Sequence, residues 1–95
     1  MYNERTAARL TRAVATHLDR VDQTGERLRR SEVGRHGVVI GVVTLRAIRH
    51  PHITEYAVDS FDADAHSGSS CQCFNSEQAQ TEFFDAFDRL NKHLG

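Results

Sequence analysis

The run VVIGVVTLRAIR, residues 38–49, constrains the fold more than any other stretch of this chain. Seven of its twelve residues are β-branched, which favours a pleated strand over a helix. Its first half is apolar at consecutive positions and its second half alternates, so part of the strand must be buried on both faces. His50-Pro51-His52 ends it, because proline has no N–H to give to a sheet ladder.

The flanking segments supply the neighbours. ERLRRSEV, 26–33, reads as a charged edge strand, and GRHG, 34–37, as the turn into the central strand. ITEYAVDSF, 53–61, alternates and reads as the next strand, DADAHSGSS, 62–70, as a loop, and CQCF, 71–74, as a short strand pairing back. A hairpin centred near His66 would set Cys73 opposite Ser60 and Cys71 opposite Asp62.

Helices are expected at both ends. Ala7, Leu10, Val14, His17, Leu18 and Val21 recur on one helical face, Asn3 is placed to cap the first turn, and Arg5, Arg9, Arg12 and Arg20 lie off the stripe. The helix should stop near Thr24, where Gly25 is unfavourable in a helix interior, although the stripe would admit Gly25 and Leu28 on an extension to Arg30. Asn75 or Ser76 should cap a last helix with Ala79, Phe83, Ala86, Phe87, Leu90 and Leu94 on one side. Asp85 with Arg89 and Asp88 with Lys92 stand at i,i+4 on the outside, and Gly95 at the C-terminal cap position.

The expected class is α+β, with a small antiparallel sheet of three to four strands flanked by an N-terminal and a C-terminal helix, in the order α-β-β-β-α with 26–33 as an extra edge strand. On the third strand, Ile53, Ala57 and Phe61 share one face, and Tyr56 and Val58 the other. Two arrangements suit that pattern: both helices on one face with the other left as an interface, or one helix on each.

A chain of 95 residues is one domain over 1–95, which buries roughly two thirds of its unfolded surface and has a stability of about 5 to 14 kcal/mol. Homodimerisation, for instance through the first helix, would offset so limited a core. No stretch reaches the roughly 18 apolar residues of a membrane span, and MYNERTAARL has no apolar block behind its charges, so neither a membrane nor a secretory signal is expected. The cytoplasm is the expected location, where two cysteines stay reduced.

Candidate chemistry is sparse. Cys71 with Cys73, or His50 with His52, could chelate a metal, but zinc cysteines usually flank a turn, and the predicted register holds the two pairs about 26 Å apart. Asp62, Asp64, His66, Ser69 and Ser70 have the composition of a cation loop without its order. Ser60, His66 and Asp64 lack a nucleophile elbow or an oxyanion glycine pattern around them. No enzyme, no cofactor and no resident metal is therefore expected.

Charge points to macromolecules instead. Residues 1–50 hold ten Arg against five acidic residues, and residues 51–95 hold eight acidic residues against Arg89 and Lys92, so a basic half precedes an acidic one. The leading expectation is a binding protein that occupies a surface of a protein partner, such as a nucleic-acid-binding complex, using Asp59, Asp62, Asp64 and Tyr56, with carboxylates placed where phosphates would go. The alternative is a nucleic-acid-binding regulator using Arg5, Arg9, Arg12, Arg29 and Arg30. No residue motif resembles a family; the type, a short α+β chain with split charge and no catalytic motif, is common among inhibitors carried by phages and plasmids, including anti-CRISPR proteins.

Overall fold

A computed structural model describes residues 1–95 as α1 (Glu4–Gln23), β1 (Glu26–Arg35), β2 (Val38–Arg49), β3 (Thr54–Asp62), β4 (Ser67–Cys73) and α2 (Ser76–Leu94). The strands form one antiparallel sheet in the order β1-β2-β3-β4. The architecture is the expected α+β sheet flanked by two helices, with 26–33 present as a fourth strand. No helix is long and apolar enough to cross a membrane.

Local chemistry sets the boundaries. Thr6 N–H donates to Asn3 Oδ1 at 2.8 Å and Gln78 N–H to Asn75 Oδ1 at 2.8 Å, so both helices begin at side-chain caps. α1 ends at Thr24 without extending towards Arg30, and β1 starts two residues later. The β1–β2 turn is shorter than GRHG: only His36 (φ 52°) and Gly37 (φ 78°) leave the ladder, while Gly34 and Arg35 belong to β1. Positive φ at both central residues is the type I′ geometry that follows strand twist, which is why two residues suffice.

The second hairpin also differs from its expectation. Asp62 accepts the Ala65 N–H at 3.0 Å and His66 turns at φ 53°, so the chain reverses within Ala63–His66 and Ser67–Ser70 join the ladder. β4 is therefore a seven-residue strand, with Cys73 opposite Tyr56 and Cys71 opposite Val58. The earlier pairing with Ser60 and Asp62 is off by four residues. The shift is even, so every side chain keeps the expected face.

One helix covers each face. Arg46 reaches Thr24 at the end of α1, whereas Gly41, five positions earlier on the same strand and so of opposite parity, lies against Leu90 and Leu94 of α2. A Cβ on Gly41 would lie 2.6 Å from Leu94 Cδ1, so the absent side chain lets α2 settle on the central strand. Leu10 and Val14 join Ile40, Val42 and Phe61 in one apolar cluster, and Ala79, Phe83 and Ala86 join Val43, Leu45 and Val58 in the other. β2 is buried from Ile40 to Leu45, as a strand covered on both sides must be.

Candidate functional site

α1 lies mainly over β2 and does not reach β4, whereas α2 spans all four strands. On the α1 side, β3 and β4 therefore floor a groove of about 460 Å³ beside the helix. Thr16, His17 and Arg20 form its helical wall, Arg46, Asp59 and Phe61 its floor, and His66 and Ser70 its far side.

The floor is fixed by one ion pair. Asp59 stands opposite Thr44, one diagonal step from Arg46, and Arg46 Nε donates to its Oδ2 at 2.8 Å. Nη1 of the same guanidinium donates to the carbonyl and hydroxyl oxygens of Thr24. Arg46 thus ties β2 to β3 and to the C-terminal cap of α1, with both charged side chains largely buried, 15% and 9% exposed. The helix cannot lift away without breaking those contacts.

Above the floor, His17 stacks on Phe61, with ring centroids 4.6 Å apart and planes 8° from parallel, and His66 meets the same ring edge-on at 5.8 Å. Burial holds His17 below the ordinary histidine range; Asp59 opposes that shift, and Arg20 and Arg46 add to it. Its Nε2 is buried with no hydrogen-bond partner. Arg20 has no carboxylate within ion-pair distance, so the groove carries a cation that nothing in the fold neutralises.

The residues singled out in the sequence fall in separate places. Asp59 is held by Arg46, Asp62 is buried beneath its turn with His93 3.5 Å away, and Tyr56 lies on the α2 face; of the four, only Asp64 is freely exposed. They do not share one surface. Arg5, Arg9 and Arg12 are exposed on one side of α1 with no carboxylate partner. Arg29 lies on the opposite side of the sheet, over the rings of Phe83 and Phe84 at 5.2 and 4.6 Å, and Arg30 pairs with Glu32 at 3.1 Å. The basic set is thereby divided between two faces.

His50 lies 3.6 Å from Glu55, and no three His, Cys, Asp or Glu side chains gather as metal ligands. His17, Arg20 and Arg46 were absent from the sequence-derived sites. Their signals were a histidine within an apolar stripe and a charge in the interior of a β-branched strand.

A second feature is the outer edge of the sheet. β1, at one edge, has six charged residues and two register breaks, the usual guards against unwanted pairing. β4, at the other, is SGSSCQC: no charge, no proline, no bulge, and every residue exposed except Cys73. Phe74 follows directly and is 90% exposed.

The two cysteines also separate. Burial, with Cys71 adding to it, pushes the Cys73 thiol up to about 11, while Cys71 is exposed. Iodoacetamide at pH 8 should modify one thiol per native chain, at Cys71, and Cys71→Ser should abolish labelling. Two adducts on the native protein by mass spectrometry would contradict this placement of Cys73. No protein family, curated protein or solved structure was found to match the chain.

Proposed function

We propose that the protein is a non-enzymatic binding protein that takes an extended segment of a protein partner along the outer edge of β4. The observation that carries this reading is the contrast between the two sheet edges, one charged and bulged, the other flat, uncharged and exposed. An incoming strand would find a row of backbone donors and acceptors, with Phe74 beside it as an apolar anchor. Such a protein acts by occupying a surface, as inhibitors and adaptors of the phage- and plasmid-borne type do, anti-CRISPR proteins among them, and it would work in the cytoplasm. A second copy of the chain could use the same edge, giving a homodimer with one continuous sheet.

Arg5, Arg9 and Arg12 support a second reading, a nucleic-acid-binding regulator, because they are exposed together and unpaired. One experiment separates the two. Tagged wild type and the Gln72→Lys variant, that site being exposed, are used to capture partners with and without nuclease. A stoichiometric protein that survives nuclease and is lost with the variant is the expected result. Equal capture by both proteins would refute strand addition, and partners that vanish with nuclease would favour the arginines of α1.

A further inference from the structure

The groove beside α1 borders β4 through Ser70, whose side chain the edge pairing does not use, and it brings together groups that a binding site needs. Arg20 from α1, Arg46 from β2 and His17 converge on it, with the hydroxyls of Thr16 and Ser70 alongside. Only one carboxylate, Asp59, faces these cations, and Arg46 engages it. We propose that this groove binds the phosphate group of a small phosphate monoester, seated between Arg20, Arg46 and His17.

Three properties favour a tetrahedral dianion. Arg46 is oriented in advance by Asp59 and Thr24, so it loses little freedom when it meets a ligand. Arg20 supplies an uncompensated guanidinium suited to bidentate contact with phosphate oxygens. His17 lines the same groove, stacked on Phe61, and its imidazolium would set a further positive charge beside the dianion. Phe61, held between His17 and His66, offers an apolar wall for the rest of the monoester.

The charged and titratable groups facing His17 are Asp59 on β3, Arg46 on β2 and Arg20 on its own helix, with His66 across Phe61. In the free protein, burial and the two arginines hold the ring below the ordinary histidine range. A bound dianion favours the imidazolium. By linkage, affinity must then rise as pH falls through and below the ordinary histidine value of about 6.5.

Sulfate is the first probe, because its charge is constant over that range, and phenyl phosphate and inorganic phosphate are the second and third. NMR titration of the wild type should show saturable shifts confined to the groove, tightening as pH falls from 7.5 to 5.5, with phenyl phosphate bound more tightly than inorganic phosphate. Arg20→Gln should weaken sulfate binding about tenfold. His17→Gln should flatten its pH dependence, and Arg35→Gln, on β1, should leave it unchanged. No saturable shift, or an equal loss with Arg35→Gln and Arg20→Gln, would overturn the site. Binding of inorganic phosphate as tight as that of phenyl phosphate would overturn the assignment to a monoester.

Discussion

Phe83→Ala should lower unfolding free energy by about 3 to 5 kcal/mol, the usual cost of deleting a buried aromatic ring. Phe83 is 1% exposed and sits in the cluster that holds α2 to Val43, Leu45 and Val58. A domain of this length has only about 5 to 14 kcal/mol in all, so the loss is a large fraction of its stability. At about 4 to 8 °C per kcal/mol, Tm should fall by more than about 12 °C in a thermal melt. Phe84 is the control: it is 53% exposed, and its removal should cost well under half as much, since it gives up only the cation–π contact with Arg29 and an edge contact with Phe83. Equal shifts for the two variants would mean that α2 does not pack through Phe83.

The position of Phe83 was legible in the sequence because a helix repeats its apolar side chains every three to four residues, and 79, 83, 86, 90 and 94 obey that period. The cap at Asn3 and the limits of β2 were legible for similarly local reasons, and the second cap was legible as Asn75 or Ser76, of which Asn75 serves. The β3–β4 hairpin was not. Ser67–Ser70 look like loop because serine and glycine have little strand propensity, and they are in β4 only because Asp62 and His66 close the turn early. The face covered by each helix was not legible either. Both faces of β2 are apolar, and only Gly41, open to Leu94, together with Arg46, reaching Thr24, distinguishes them.

The groove was hidden for a different reason. Asp59 stood out as an acidic residue near a loop, with no sign that Arg46, thirteen positions earlier, would sit one diagonal step away. The register that joins them is a tertiary fact, settled by the β2–β3 pairing. Once paired, the carboxylate is largely buried, 9% exposed. It positions a guanidinium.

That pairing gives the second large effect. Asp59→Ala leaves the Arg46 guanidinium without its carboxylate in a site where the side chain is 15% exposed. Breaking one side of a buried pair costs about 3 to 5 kcal/mol, and the expected loss here is near the lower figure because Thr24 still accepts from Nη1. Arg46→Ala should cost at least as much, since it strands Asp59, 9% exposed, and also frees the end of α1 from β2. The double variant Arg46→Ala/Asp59→Ala should be less destabilised than the two single losses combined, because no ion is left buried alone. Urea unfolding of the four proteins tests this through the sign of the coupling. If the losses simply add, the two side chains contribute independently, and the pair cannot be what holds α1, β2 and β3 in the geometry that shapes the groove.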